Sequence, residues 1–364
     1  MQPMLGHIEA LVTCESPSAD LAAVARSADI VATLGASVLG AAPERITADG
    51  RAHLRWRFGA GPTRVLLVGH HDTVWPLGSL RTHPFSVHDG ILRGPGCFDM
   101  KAGLVIAFHA LTEVPDLRGV TLLITGDEEI GSPSSRELIE SEASRCRAAL
   151  ILEPAAPGGR VKTERKGMSI YELVVTGRAA HAGLEPNAGV NATIEIAHQI
   201  LTIATFADSS AGTSVTPTVL TAGVTSNTVP AAGRLFVDVR AASMAEQARV
   251  DAAIRALRPV LDGSSLTVTG GINRPPLETS ASSGLLVRTA MLAEALGLGP
   301  LGSASVGGGS DGNFTAGLGI PTLDGLGAVG DGAHADHEHV LVAELAGRTA
   351  LVAALVADQL AIGP

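Results

Sequence analysis

Four short segments of this chain each end an apolar run in residues that bind metals or move protons: Gly69-His70-His71-Asp72, Gly96-Cys97-Phe98-Asp99, Gly126-Asp127-Glu128-Glu129 and Leu152-Glu153-Pro154. A fifth, Gly332-Ala333-His334, lies near the C-terminus. Any one alone would mean little. All of them in this order, on strand-end turns, point to a two-metal hydrolase. Two histidines and three carboxylates could hold two divalent ions, with one carboxylate shared and a further one left as a base. Paired ions polarise a carbonyl and lower the pKa of a shared water. They also repel each other, so a carboxylate must sit between them; Asp99, behind the turn Gly94-Pro95-Gly96, is the candidate. His70 and Glu153 are then the terminal ligands of one metal, His334 and Glu129 those of the other. This donor set suits Zn²⁺, with Co²⁺ or Mn²⁺ as possible substitutes.

Two carboxylates support the ligands. A metal-bound histidine usually gives its second N–H to a carboxylate. Asp72, two residues beyond His70 on an extended segment, shares its side-chain direction and suits that role. Glu128 and Glu129 are consecutive, so on a strand they cannot point the same way. Glu129 is assigned to the metal and Glu128 to the water as general base. His71, His337 and His339 are read as neighbours of ligands, not as ligands. His7, His53, His83, His88, His109 and His198 have no partner in the pattern and are read as surface or core residues.

The positioning elements follow from periodicity. Val65–Val68 is an all-apolar run of the buried parallel-strand type, and Thr121–Thr125 and Ala148–Leu152 read as two more buried strands. Helical patterns over Leu21–Leu39, Lys101–Val114 and Ser134–Cys146 alternate with them, which predicts an α/β domain with a mixed sheet flanked by helices. Sites in such sheets gather at the carboxyl ends of strands, where His70, Asp72, Glu128, Glu129 and Glu153 fall. The middle of the chain reads differently. Strands at Tyr171–Arg178, Thr216–Val224, Arg234–Arg240 and Ser265–Thr269 and helices at Asn187–Phe206 and Met244–Leu261 give the order β-α-β-β-α-β. That is the ferredoxin-like α+β pattern. Residues 165–274 are therefore expected to form an inserted domain, with 1–164 and 275–364 forming the catalytic one. Helices near Ala281–Leu296 and Leu341–Leu360 return the chain to the catalytic domain, where His334 needs its partners.

The bulk numbers agree. A chain of 364 residues suggests about two domains. Its 46% hydrophobic and 17% charged residues suit a globular enzyme. With 26 basic and 36 acidic residues the net charge is −10, which gives no footprint for nucleic acid. No apolar run reaches the roughly 18 residues of a membrane span, so no membrane partner is expected. Three cysteines, Cys14, Cys97 and Cys146, suggest a reducing compartment, and the N-terminus lacks a signal-peptide pattern; both point to the cytoplasm.

The series GHHDTVWP, GPGCFDMKAG, TGDEEIGS, LEP, GRAAHAGLEPNAGVNA, SNTVP, DVRA, GGGSDGNF and GAHADHEHV resembles the di-zinc aminoacylase and carboxypeptidase family, and its glutamate carboxypeptidase branch most. The resemblance implies a zinc-peptidase-like catalytic domain and amide hydrolysis. It also implies that the inserted domain acts as a lid and joins two chains into a homodimer. Under it, His70, Asp99, Glu129, Glu153 and His334 match metal ligands, Asp72 the orienting acid and Glu128 the base. The peptide after Asp99 is expected to be cis. His181 matches a lid residue that stabilises the oxyanion across the dimer. Asn227, Arg240 and Gly308 match substrate contacts, and Arg274 resembles a carboxylate-binding arginine. The expected substrate is a small peptide or N-acyl amino acid. Glutamate carboxypeptidase-like cleavage comes first and N-acyl-amino-acid deacylation second. An aminopeptidase or dipeptidase, or a non-catalytic binding relative, comes behind these. His71, Phe98 and Ala180 depart from the residues common in the family, and bear on pocket shape.

Overall fold

In the computed structural model, which describes residues 1–362, two compact units are present. The first comprises Met1–Arg165, Leu277–Val306 and Ser310–Pro364; the second comprises Lys166–Pro276 and Gly307–Gly309.

The main sheet of the first unit contains β1 (Glu44–Ala48), β2 (Arg51–Arg57), β3 (Val65–His70), β4 (Val120–Thr125) and β5 (Ala148–Ile151). They lie in the order β1-β2-β4-β3-β5, with the short strand Thr322–Leu323 beyond β5. β3, β4, β5 and that last strand run parallel, while β1 and β2 join antiparallel, so the sheet is mixed. β3, β4 and β5 are buried on both faces, as their mostly apolar runs require. Leu67, Leu122 and Leu150 face a core shared with Val31, Phe108 and Val352 of three helices. Leu66, Val68, Leu123 and Ile151 face Ile139 and Phe314 on the other side.

The helix Leu21–Leu39 corrects the expectation that no segment is long and apolar enough to span a membrane: by length and composition it is. Here it is a core helix. Asp20 caps it by accepting the Ala23 N–H, and Ala23, Val24, Ala28 and Val31 are buried. The helix Gln2–Val12 and strand β1 had no expectation from periodicity.

In the second unit the strands are β6 (Gly167–Thr176), β7 (Ser214–Ala222), β8 (Ala232–Ala241) and β9 (Ser265–Arg274). Their order β7-β8-β6-β9, antiparallel throughout, is the ferredoxin-like arrangement. Tyr171, Leu173 and Val175 of β6 pack with Leu235 and Val237 of β8 against Ile196 and Ile254 from two helices. Those helices are shorter than periodicity predicts. One starts at Ala192 because Asn191 caps it, accepting from the N–H groups of Thr193 and Ile194. The other ends at Arg255, since Pro259 follows and the Val260 and Leu261 N–H groups donate to the Glu195 carboxylate. Gly307–Gly309, expected in the catalytic part, groups with the second unit. A Cβ on Gly309 would lie 2.6 Å from Met168 Sδ, so only glycine allows the backbone this close.

One close approach that bears on the metal segments is at Gly103. A Cβ there would lie 2.3 Å from the carbonyl oxygen of Leu152, the residue before Glu153. Gly103→Ala must therefore push the helix Ala102–Thr112 away from the end of β5. Urea denaturation is expected to show a loss of about 1–3 kcal/mol; an unchanged midpoint would contradict the contact.

Candidate metal centre

The parallel strands deliver the ligands. His70 is the last residue of β3; Glu128 and Glu129 follow β4 and Glu153 follows β5. Asp99 comes from a turn after Gly96, whose φ of 69° is left-handed. A Cβ on Gly96 would lie 2.4 Å from Thr73 Cγ2, so the turn requires glycine. The Asp99–Met100 peptide is cis. His334 itself has φ 63°, a region that costs a non-glycine residue energy and that clusters at functional sites.

These side chains converge. The two oxygens of Asp99 face different imidazoles: Oδ1 lies 3.3 Å from His70 Nε2 and Oδ2 lies 3.4 Å from His334 Nε2. Glu153 Oε1 is 3.5 Å from His70 Nε2, and Glu129 Oε2 is 3.1 Å from His334 Nε2. His70 Nε2, Asp99 Oδ1 and Glu129 Oε1 are buried with no hydrogen-bond partner among the described residues. Buried polar atoms are rarely left so. Donor atoms of His70, Asp99 and Glu129 lie within 4.8 Å of one another, as do those of His70, Glu128 and Glu153. The residues present fit two divalent metals, with His70, Asp99 and Glu153 about one and His334, Asp99 and Glu129 about the other.

Electrostatics give the same picture. Burial opposes charge on His70, but Asp72, Asp99 and Glu153 outweigh it and hold the imidazole well above its ordinary pKa. Hydrogen bonds to Asp99 and Glu129 lift His334 to about 10. Burial raises Glu129 to about 7 even beside His334. Asp99 is driven the other way: burial would raise it, yet His334 and His70 hold it far below the carboxylate range. Glu153 is lowered against burial and Asp99 by His70 and Arg165.

Asp72 is buried and ties three segments together. It accepts from Ser18 Oγ at 2.6 Å and from the backbone N–H of Glu128 and Glu129 at 3.2 and 3.3 Å. His70 Nδ1 is 2.9 Å from the Asp72 carbonyl oxygen and 3.5 Å from its Oδ1, so the carbonyl is the nearer acceptor, a refinement of the carboxylate expected from spacing. Glu128 and Glu129 sit on a short 3₁₀ turn rather than a strand, so strand alternation is not what separates them. His71 points elsewhere, with Nε2 3.0 Å from the Ala52 carbonyl, and burial pushes it down to about 4.

Sequence reasoning missed two buried groups. Arg165 donates to Glu153 Oε2 at 3.2 Å and to Asp324 Oδ2 at 2.6 Å. Glu338 accepts the backbone N–H groups of the Asp99 turn. The only signal for Glu338 was its place four residues after His334, between two histidines set aside as decoys.

The other expected residues lie in the second unit. Arg240 on β8 and Arg274 on β9 both pair in register with Met168 of β6, so the three form one row across the sheet. Arg240 holds Asp238 through Nε at 2.9 Å and Nη2 at 3.0 Å. Arg274 is buried, and its carbonyl accepts from Gln247. His181 and Asn227 are exposed neighbours, because Ala182 N–H donates to the Asn227 carbonyl. His181 Nδ1 accepts from the N–H groups of Gly183 and Leu184 at 3.1 Å, which leaves Nε2 as the protonated nitrogen of the neutral ring. Gly308 is exposed beside Gly309.

Comparison with known proteins places this geometry. The model of peptidase family M20/M25/M40 matches residues 66–358. Carboxypeptidase G2 of Pseudomonas sp. (strain RS-16) is 32% identical over 313 residues, which cover 82% of this chain and 75% of that protein. Succinyl-diaminopimelate desuccinylase 1 of Alteromonas mediterranea is 31% identical over 251 residues, 63% of this chain and 64% of that protein. The crystal structure of an M20 family metallo-carboxypeptidase from Sulfolobus solfataricus has the same fold, with a TM-score of 0.77 at 15% identity, covering 98% of this chain and 99% of that one. The chain therefore belongs to peptidase family M20/M25/M40, and is a hydrolase of the metallopeptidase type.

Proposed function

We propose that the chain is a two-zinc hydrolase of the amide bond next to an amino-acid carboxylate, acting as a glutamate carboxypeptidase. One observation carries the reading: each oxygen of Asp99 faces a different imidazole, and Glu153 and Glu129 lie beside the same two rings. Zinc held there supplies Lewis acidity to the scissile carbonyl and to the attacking water. His70, Glu153, His334 and Glu129 would hold the ions from either side and Asp99 would serve both; cobalt or manganese would suit the same donors. Asp72 orients His70 and anchors the turn that carries the two glutamates. Glu128 takes the proton from the attacking water and passes it to the leaving nitrogen. His181 donates from Nε2 to the developing oxyanion. Arg240, Arg274, Asn227 and Gly308 receive the substrate, the guanidinium groups gripping its carboxylate.

The second unit is proposed as a lid through which two copies pair. Its edge strand β7 exposes Val219 and Leu220, and the nearby helix exposes Ile194 and Leu201. An open edge beside apolar side chains is suited to pairing with a second copy. The three free cysteines support a cytoplasmic setting. N-acyl-amino-acid deacylation is the second reading, favoured by the desuccinylase relative. N-acetyl amino acids tested against N-blocked dipeptides and folate-type glutamates separate the two. Preferred release of a C-terminal glutamate is expected, and preferred deacetylation would install the second reading.

Metal uptake is expected to depend on pH. In the metal-free protein His334 titrates at about 10 and Glu129 at about 7, so protons compete with metal below those values. Affinity therefore rises with pH, by about tenfold per unit for each proton displaced. Titration calorimetry in buffers of different ionisation enthalpy should record proton release at pH 6 to 8; none would contradict the ligand set. Glu128→Gln should keep both metals, counted by mass spectrometry, while kcat falls about 100- to 10,000-fold. Full activity in that variant would remove Glu128 from its role.

A further inference from the structure

We propose that Glu338 is the positioning residue of the shared carboxylate, holding Asp99 between its two imidazoles. The proposal rests on the two-metal reading above and deepens it. Glu338 is 4% exposed, yet both oxygens are engaged. Oε1 accepts the N–H groups of Phe98 at 2.9 Å and Asp99 at 3.0 Å. Oε2 accepts the Gly96 N–H at 2.9 Å and the Trp75 indole N–H at 2.7 Å. Four donors on one carboxylate match its full acceptor capacity. An ionised acceptor makes each of these bonds stronger than a neutral one.

The bonds join three ligand-bearing segments. Trp75 follows His70 and Asp72 on one; Gly96, Phe98 and Asp99 are the turn on the second; His334 lies four residues before Glu338 on the third. The third is wound tightly. Glu338 N–H donates to the Ala335 carbonyl and Ala335 N–H to that of Gly332. A Cβ on Gly332 would lie 2.8 Å from Glu338 N, and His334 is in the left-handed region. The backbone that presents His334 is thus the backbone that presents Glu338. Three amides of one turn aimed at one carboxylate fix the rotation of the turn, and with it the direction of the Asp99 side chain. Nothing else among the described residues bonds the N–H groups of Phe98 and Asp99.

Glu338→Gln tests this in the full-length protein. The amide keeps the volume, but its NH₂ must face a pair of N–H donors, so one side of the turn loses its acceptor. Three readouts apply: melting temperature, zinc affinity against a competing chelator, and the magnetic coupling between two Co²⁺ ions, which requires a shared ligand. The expected result is a folded protein whose second zinc binds at least tenfold more weakly and whose two-cobalt coupling is lost. Glu338→Asp keeps the charge and all acceptors on a shorter side chain, and should give a second-zinc affinity and a coupling between those of the wild type and those of Glu338→Gln. Wild-type affinity and wild-type coupling in Glu338→Gln would overturn the proposal. If Glu338→Gln does not fold, Glu338→Asp decides: a shortened carboxylate should weaken the second zinc and shift the coupling, and wild-type values for both would overturn it. A wild-type protein without two-cobalt coupling would sink the two-metal reading itself, and the positioning role with it.

Discussion

Like charges packed out of water govern this site. Asp72, Asp99, Glu128, Glu129 and Glu153 crowd together, and Asp72 has no exposure at all. Buried carboxylates are costly unless cations or hydrogen-bond donors compensate them. The protein supplies two imidazoles, the Arg165 guanidinium against Glu153 and, for Asp72, a hydroxyl and two backbone N–H groups. What remains is Glu129, which burial lifts to about 7, and buried donor atoms on His70 and Asp99 with no partner among the described residues. Two divalent cations held there would answer that uncompensated charge, and a buried cluster so arranged is a poor stabilising network.

Assembling that charge requires the backbone to be rigid where the ligands leave it. Parallel strands give the carboxyl ends of β3, β4 and β5 a common edge, and their two-sided burial fixes them in place. Glycine allows the close crossings. A Cβ on Gly103 or Gly327 would lie 2.3 or 2.1 Å from the Leu152 carbonyl, so the chain grips the segment before Glu153 from two sides. Asp72 does the same through hydrogen bonds for the turn after β4. Rigidity of this kind is what ligand placement within a fraction of an ångström demands.

Sequence revealed the parts whose signal is local. Val65–Val68 and Thr121–Thr125 announced buried strands, and strand-end His, Asp and Glu announced side chains that the fold brings together, because composition and spacing within a few residues encode both. It was silent on groups that act across the fold. Arg165 carried no local signal; only the folded chain brings it to Glu153 and Asp324. Glu338 was hidden among histidines, since its partners lie some 240 residues earlier and are backbone amides, which no side-chain pattern records. Helix ends were misjudged for a related reason. The stop at Arg255 depends on Glu195, far away in sequence, capturing the amides that would have continued it.

The two halves of the centre are not equivalent. On the His70 side, His70 and Glu153 are nearly inaccessible, and Arg165 holds the second oxygen of Glu153 while itself clasping Asp324. That leaves Oε1 of Glu153 turned toward His70. On the other side, the His334 side chain is 51% exposed, its backbone is in the left-handed region, and no protein donor holds the second oxygen of Glu129 among the described residues. The first half is therefore the more enclosed of the two and the second the more open, although each keeps buried polar atoms with no partner among the described residues. If these residues hold two ions, as proposed, a set enclosed on one side and open on the other would keep one ion firmly and leave the second the freedom that an incoming carbonyl needs.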